Sequence, residues 1–394
     1  MPENRKITYF LSHPIQYFSP LFKALAKETD LEVYYFSDAS IKGRKDAGFG
    51  EAITWDTPLL DGYAAFFIPN FGRKRNPDNH FWDVFNPGIV GVIRKRKRSV
   101  VIVNGWTYSS TLLAIFASRL LGRKVWIRAE NPMNQELRKS GWVLFLKRIF
   151  LKHILFRHFT DKCLYIGTES RKFFSYYGVP ADRLLYTPYA VDNDFFSAAY
   201  CQWKDRTVEL KNKLGLPQHK KVILFVGKYT PKKRPLDLLK AFRQLPASPD
   251  CILVMVGEGE LRPEMEKFAA MEELKEKVIF TGFVNQSQIS RYYSVADVFV
   301  LCSGMGETWG LAVNEAMNFA KPVIVSDTCG CSVDLVRHGR NGFIFEEGNT
   351  GQLAAYLQQT LADGSFAEKA GMESREIIKE FSIRHIVQNV SQAV

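Results

Sequence analysis

The chain is predicted to be an α/β protein built from two doubly wound, Rossmann-like parallel-sheet domains. Three observations predict it. Along 221–375, short apolar runs alternate with helical stretches in the pattern of a parallel sheet covered on both faces. A looser version of the same alternation runs from Ile7 to Thr187. A length of 394 residues is long for one core and comfortable for two.

Composition narrows the class. A hydrophobic content of 46% and a charged content of 24% are those of an ordinary soluble globular protein. No apolar stretch reaches the length a membrane span needs. The polar start, 1–6, runs straight into a strand-like segment, so no secretory signal is expected. The six cysteines are scattered, and the cytosol is the expected compartment. Cys329-Gly330-Cys331 lacks the second pair of a zinc site, and its two thiols are too close for an easy disulfide. The net charge of +12 is lopsided: residues 1–200 hold 29 Lys and Arg against 18 Asp and Glu, a balance of +11, which leaves +1 for the remainder. The first half is therefore the one expected to meet an anionic partner. The basic runs lack an interleaved aromatic code or a nucleic-acid motif, so no nucleic acid is expected.

The first half reads as a strand over 7–11, a loop punctuated by Pro14 and Pro20, a helix over 20–27 and a strand over 31–36. The loop after the first strand of such a sheet lies at its ligand edge. His13 and Gln16 sit there and could touch a ligand, or His13 could simply fix the loop. The segments 42–50 and 72–80 are polar and Gly-rich and read as surface loops. Arg94 to Arg98 is a run of five cations, either a solvated helix end or a contact for anionic lipid headgroups. A strand over 100–103 leads to Asn104-Gly105-Trp106 and a helix over 109–121. The strand over 125–129 delivers Arg128, Glu130 and Asn131 to the same sheet edge, as a catalytic-edge or acceptor cluster or as a structural Arg–Glu pair. One long helix is expected over 138–159, where Trp142, Phe145, Ile149 and Phe156 recur at helical spacing among cations. It suits either packing on the sheet or an interfacial position in lipid headgroups. A strand over 163–166, a helix over 170–177 ended by Gly178, and a strand over 184–187 complete the half.

The second half centres on Glu307-Thr308-Trp309-Gly310-Leu311-Ala312-Val313-Asn314-Glu315. It follows a buried strand over 298–301 and opens a helix near Gly310. A helix start with free backbone N–H groups favours a negatively charged ligand such as a phosphate. Glu307 lies before the helix and Glu315 about one and a half turns inside it, so both carboxylates could face one cleft and accept hydrogen bonds from sugar hydroxyls. The competing reading is a loop glutamate and a helix-surface glutamate. Lys228 and Lys233 follow the strand over 222–226 at the same sheet edge, where two ammonium groups would offset a diphosphate's charge. Alone, they read as surface lysines of a basic loop.

The ordered set resembles the retaining, GT-B-fold glycosyltransferases of family 4. The set comprises Val226-Gly227-Lys228 with Lys233, Val256-Gly257-Glu258-Gly259, Phe280-Thr281-Gly282-Phe283, Ala296-Asp297-Val298, the Glu307…Glu315-Ala316-Met317 stretch, Pro322-Val323-Ile324 and Asn341-Gly342-Phe343. It covers roughly 184–362 and is looser before that. The resemblance implies two domains facing a central cleft: an acceptor-side domain over 1–200, a linker over 201–220, a nucleotide-sugar domain over 221–375, and a last helix over 376–394 crossing back. It implies that Lys228 and Lys233 bind the diphosphate, Glu315 the ribose, and Glu307 the transferred sugar. Backbone near Gly310 and Leu311 would complete the anion contacts, and Gly282 and Phe283 would frame the base.

The same likeness implies a donor of UDP or GDP type used as co-substrate, with no cofactor and no metal, and an acceptor that is a sugar or a lipid-linked sugar. An anionic membrane surface is a further expected partner, at the inner face of the membrane. Bacterial surface-polysaccharide or glycoconjugate assembly is the expected setting. Two departures stand out. The first loop lacks the family's Gly-rich sequence, and Gly105-Trp106 stands where many members carry a histidine. That role is left unfilled or passes to His13, with Glu130 as the one first-half carboxylate for a double displacement and Trp106, Gln16 and Asn131 on the acceptor side. The alternative is a non-transferring relative on the same fold, a nucleotide-sugar epimerase or a sugar-binding scaffold.

Overall fold

The computed structural model describes residues 5–41, 56–73, 77, 80–248 and 250–394. The loops expected over 42–50 and, for most of its charged part, 72–80 lie outside the described residues, as does the polar start 1–4. The chain forms two compact units. Among the described residues the first is 5–41, Thr57–Tyr189 and Ile383–Val394, and the second is Ala190–Ser382 with Asp56.

The first unit is a seven-stranded parallel sheet. Its strands are β1 (Lys6–Leu11), β2 (Asp30–Tyr35), β3 (Ala64–Phe67), β4 (Val100–Asn104), β5 (Lys124–Ala129), β6 (Lys162–Tyr165) and β7 (Leu184–Tyr186), in the spatial order β3-β2-β1-β4-β5-β6-β7. β1 pairs Ile7 with Leu31 on one side and with Val100 on the other. Its central residues are buried on both faces, which is why it reads as an unbroken apolar run. The strand order reverses between β1 and β4, so the loops that follow them flank the point where open α/β sheets bind ligands. β3 is an edge strand with Ala64, Phe66 and Phe67 exposed, although residues 64–68 form an apolar run in the sequence.

The helix expected over 138–159 is three consecutive pieces: an α-helix Gly141–Lys147, a π-helix Arg148–Leu155 and a short α-turn Phe156–His158. None of the first seven residues is buried; Leu151, Leu155 and Phe156 are buried, with Phe150 packed beside them. The last helix, Ile383–Ala393, clusters with the first unit, packing on the helix Ser19–Glu28, and Asn389 donates to the Tyr186 carbonyl at 2.9 Å.

The second unit is a six-stranded parallel sheet of β8 (Lys221–Val226), β9 (Cys251–Val256), β10 (Val278–Gly282), β11 (Val298–Leu301), β12 (Val323–Ser326) and β13 (Gly342–Phe345), ordered β10-β9-β8-β11-β12-β13. The reversal here falls between β8 and β11. The stretch 201–220, expected as a linker, is instead part of this unit. It holds the end of the helix Asn193–Trp203 and the helix Thr207–Lys213. Its polar composition hides one packed face, on which Leu210 is fully buried and Lys211 bonds the carbonyls of Gln218 and Lys220 at 3.3 and 2.8 Å. The first unit accordingly ends at Tyr189 rather than near 200.

All six cysteines are free thiols; five are buried and Cys201 is exposed. Among the described residues no helix is long and apolar enough to cross a membrane.

β13 begins with a glycine for a steric reason. Gly342 has φ +154°, and a Cβ there would sit 1.8 Å from the carbonyl oxygen of Val323 on the neighbouring strand. Gly342→Ala is therefore expected to destabilise the protein by about 1–3 kcal/mol, read as a lowered urea midpoint; an unchanged midpoint would contradict the close approach.

Candidate functional site

The site of the second unit is assembled at its strand-order reversal, from the loops that follow β8 and β11. After β8 the chain runs through Gly227 to Tyr229 and makes a tight turn at Pro231–Lys233, closed by the Lys233 amide donating to Thr230 at 2.9 Å. Arg234 then takes a left-handed conformation at φ +49°. This turn sends the Lys233 side chain to Glu307, which ends the loop after β11, and the two form an ion pair. Their side chains are 16% and 9% exposed. Burial works against the Lys233 charge, but the Glu307 carboxylate outweighs it and holds the ammonium above the usual lysine range. Burial likewise opposes the Glu307 charge, and Lys233 with Lys232 outweighs it, so the carboxyl lies below its ordinary range.

The helix Leu311–Asn318 starts directly beside this pair. Gly310, at φ +106°, is its N-cap, and a Cβ there would sit 2.6 Å from the Leu301 side chain and 2.9 Å from Cys329 Sγ. Glycine is required twice, for conformation and for space. Two thiols pack under the turn: Cys329 donates to the Trp309 carbonyl at 2.9 Å, Cys331 lies 3.7 Å from it, and burial pushes the Cys331 thiol well above its usual range. The amide of Gly330 reaches the Glu307 carbonyl at 3.3 Å and that of Cys331 the Trp309 carbonyl at 3.1 Å. Trp309 is pinned from the other side by its indole N–H donating to Asn314 at 2.8 Å. A helix N-terminus beside an ammonium group is an arrangement that favours negative charge.

The remaining loops of this edge are joined backbone to backbone. The amide of Gly227 donates to Val256, that of Tyr229 to Glu258 and that of Gly257 to Gly282, at 3.0, 2.8 and 3.0 Å. Gly257 has no room for a side chain, since its Cβ would lie 2.0 Å from the Gly227 carbonyl oxygen. Gly282, at φ +76°, ends β10, where the ladder with β9 shifts register, and Phe283 follows it half-buried. Lys228 is half-buried on the loop between Gly227 and Tyr229.

Glu315 is buried one and a half turns into its helix and accepts the Tyr293 hydroxyl at 2.6 Å. Tyr293 is itself fully buried and stacks on Phe319 at 5.6 Å. The two glutamates thus occupy different hydrogen-bond environments, Glu307 with Lys233 and Glu315 with Tyr293.

Sequence reasoning missed Arg234, Thr328 and Glu347. Arg234 bonds Asp237 at 2.6 Å and pairs with Glu347 at 3.4 Å, and the Thr328 hydroxyl donates to Glu347 at 2.7 Å. They tie together the loops after β8, β12 and β13. The only signal in the sequence was the basic run Lys232-Lys233-Arg234.

In the first unit the ends of β4 and β5 bring Asn104, Arg128 and Glu130 together. The buried Arg128 guanidinium bonds Glu130 at 2.5 Å and Asn104 at 3.2 Å, and lies over the rings of Phe18 and Tyr189 at 4.9 and 4.6 Å. Burial opposes its charge, and Glu130 outweighs that and raises its affinity for the proton. The expected Arg–Glu pair thus forms and is extended by two aromatic rings. Two tyrosines that sequence reasoning passed over face it. The Tyr9 hydroxyl is buried without a hydrogen-bond partner among the described residues and is pushed up to about 12 by burial, and Tyr189 is raised well above its ordinary value by burial and Glu130. Asn131 follows Glu130, half-buried. On the loop after β1, His13 Nδ1 lies 3.0 Å from the Ser12 hydroxyl, and Gln16 Oε1 is buried without a hydrogen-bond partner among the described residues. Trp106 stands apart from them: it stacks on Phe173 at 6.0 Å and meets Phe156 edge-on at 5.6 Å, within the apolar packing of the unit. Among the described residues no three His, Cys, Asp or Glu side chains are placed to hold a metal ion.

The family model "Glycosyl transferases group 1" matches residues 207–377, which lie in the second unit. An uncharacterized glycosyltransferase, MJ1607, of Methanocaldococcus jannaschii is 30% identical over 166 residues, 42% of this chain and 42% of that protein. The alpha-D-kanosaminyltransferase of Streptomyces kanamyceticus is 27% identical over 192 residues, 48% of each. The chain thus spans a little under half the length of these relatives. The structure of Anabaena Alr3699/HepE in complex with UDP superposes with a TM-score of 0.75 at 17% identity, covering 98% of this chain and 99% of that one; the same protein has been solved with UDP-glucose. At that identity the likeness shows the fold, which is GT-B: two Rossmann-like, doubly wound parallel-sheet domains. Over 207–377 the chain resembles glycosyltransferases in sequence, and over nearly its whole length it shares the fold of HepE.

Glu307 compensates a buried cation, so Glu307→Gln is expected to cost about 3–5 kcal/mol at pH 7 in urea unfolding. Because the Glu307 carboxyl is lowered in the folded state, its contribution is present above the unfolded carboxyl value near 4.3 and is lost as pH falls through the folded value. Because Lys233 is raised, the pair's contribution persists at alkaline pH beyond the ordinary lysine value near 10.4. The stability gap between wild type and variant should be flat across neutral pH and narrow below about pH 4; a gap that does not change in acid would contradict the pairing.

Proposed function

We propose that the chain is a retaining glycosyltransferase of family 4, moving a sugar from a nucleotide-sugar donor of UDP or GDP type to an acceptor hydroxyl. The observation that carries the reading is the Lys233–Glu307 pair at the strand-order reversal, beside a helix start cleared by Gly310. The second unit holds the donor. Lys233, Lys228 and the helix N-terminus receive the diphosphate, Glu307 reads hydroxyls of the transferred sugar, and Glu315 those of the ribose. Gly282 and Phe283 frame the base. Binding lets the phosphates share Lys233 with Glu307, so the site changes charge partners instead of burying a bare cation.

In the reaction the bond from the anomeric carbon to the phosphate oxygen breaks while the acceptor oxygen bonds the same carbon on the same face. The leaving phosphate oxygen takes the acceptor's proton. Positive charge develops on the sugar ring and negative charge on the diphosphate, so fixed cations at the diphosphate lower the barrier most. The positive charge is read as coming from side chains and a helix dipole. On the first unit, Arg128, Glu130, His13, Gln16 and Asn131 form the acceptor side. The acceptor is a sugar or lipid-linked sugar, in bacterial surface-polysaccharide or glycoconjugate assembly at the inner face of the membrane. The UDP carried by HepE and the transferase relatives support a nucleotide-sugar donor.

A second reading has a specific observation behind it. Trp106 occupies the place of the family histidine and rests half-buried against the apolar core of its unit. A relative that binds or epimerises a nucleotide sugar without transfer would tolerate that.

Incubation with a panel of nucleotide sugars, with and without acceptor, separates the two by release of nucleoside diphosphate. Lys228→Ala and Glu315→Gln are each expected to lower turnover by roughly 100-fold or more while circular dichroism stays native. Glu315→Gln keeps an acceptor for the Tyr293 hydroxyl, so folding loss does not confound it. Unchanged turnover in either variant would reject the assignment of that residue, and unchanged turnover in both would reject the donor site.

A further inference from the structure

The segment Gly141–His158 is unusual for a helix in a two-layer unit, because most of its apolar side chains face outward. Trp142 is 68% exposed, Phe145 53%, Leu146 47% and Ile149 42%. These four fall at i, i+3, i+4 and i+7, one face of a helix. The face does not arise from poor packing, since the opposite side is firmly anchored. Leu151, Leu155 and Phe156 are buried in the core cluster, and Lys147 is held by Glu136, which also accepts the Tyr177 hydroxyl at 2.7 Å. The π-helix Arg148–Leu155 shifts the register by about a residue between the exposed and the buried stretches. The exposed stripe is therefore held rigidly on a fixed support.

Its charge selects the occupant. Between residues 137 and 160 there is no Asp or Glu, against six Lys and Arg. Lys139 and Lys147 are consumed by Glu136. Arg148 and Arg157 are exposed, and Lys152 is half-exposed. A second copy seated face to face would set these cations against their own equivalents. An apolar core meeting this face would leave the arginines without counter-ions. A layer with hydrocarbon below and anions above satisfies both, and a Trp and Phe stripe edged with Arg and Lys has the composition of helices that lie in that layer.

We infer that Trp142, Phe145, Leu146 and Ile149, edged by Arg148 and Arg157, form a docking face for an anionic lipid bilayer. The helix lies in the headgroup plane, its aromatic side chains inserted and its guanidinium groups on lipid phosphates. This names the membrane partner's surface on the chain, and it stands on exposure and charge whether or not the chain transfers sugar.

The test is co-sedimentation of the full chain with vesicles, equimolar phosphatidylglycerol and phosphatidylcholine against phosphatidylcholine alone. No donor or acceptor is needed, so its outcome is separate from the turnover assays. Binding to the anionic vesicles is expected to be roughly tenfold or more stronger than to the neutral ones and to weaken with salt. Trp142→Ser/Phe145→Ser/Ile149→Ser should lower binding by roughly tenfold or more, and Arg148→Glu/Arg157→Glu by a similar factor with a flatter salt dependence. All five positions are exposed, so circular dichroism and the thermal midpoint should be unchanged. Either vesicle binding that both variants retain or failure of wild type to bind anionic vesicles would overturn the proposal. So would a wild-type dimer that the apolar variant dissolves while its vesicle binding stays intact.

Discussion

A buried lysine and a buried glutamate, each tolerable only because of the other, set the geometry of the second unit's ligand edge. Taking either charge out of water alone costs several kcal/mol, so the turn that carries Lys233 and the loop that carries Glu307 are bound to one arrangement. That requirement reaches outward. The turn at Pro231–Lys233 puts Arg234 into a left-handed conformation, from which it reaches Asp237 and Glu347. The loop of Glu307 must pass close under the helix start, which leaves Gly310 and Gly330 no room for side chains. The backbone of residue 330 approaches Thr308 so closely that a Cβ would lie 1.9 Å from its carbonyl oxygen. One electrostatic necessity thus accounts for much of the glycine pattern at this edge.

The second unit's polar cluster lies at the strand-order reversal and the first unit's one strand away from it, at the ends of β4 and β5, and the two solve the problem of a buried charge differently. The second unit neutralises Lys233 with a carboxylate and adds a helix start. In the first, Arg128 is held by Glu130, Asn104 and two aromatic faces. A planar guanidinium can be stacked as well as paired, which an ammonium group does less well. The arrangement also fixes Glu130, whose orientation on the first unit is then set by Arg128.

Much of this was legible in the sequence because buried parallel strands announce themselves. β1, β4, β5 and five of the six strands of the second sheet appear as apolar runs, and the glycines between them mark the loop crossings. β3 also lies in an apolar run, over 64–68, but a four-residue edge strand with three exposed residues shows no alternation to mark it. The helices across 201–220 were silent because a single packed leucine and a lysine bonded through its tip do not outweigh polar composition. At the site, Glu307, Lys233 and Gly310 could be found from motif spacing. Their pairing could not, since a salt bridge between residues 74 positions apart depends on the order of strands. Arg234, Thr328 and Glu347 were hidden for the same reason. The loop of Trp106 could be placed at the sheet edge from the sequence, but the stacking of its ring on Phe173 could not, since that contact depends on how the helices pack.

The distribution of thiols has a practical consequence. Five of the six cysteines are packed away from solvent, and Cys201, on the outer part of the helix Asn193–Trp203, is the exception. A maleimide fluorophore added to the native chain should attach at that one position without a cysteine-free background. The second unit therefore carries its own single attachment point for spectroscopy, on a helix rather than in the loops around Lys233 and Glu307.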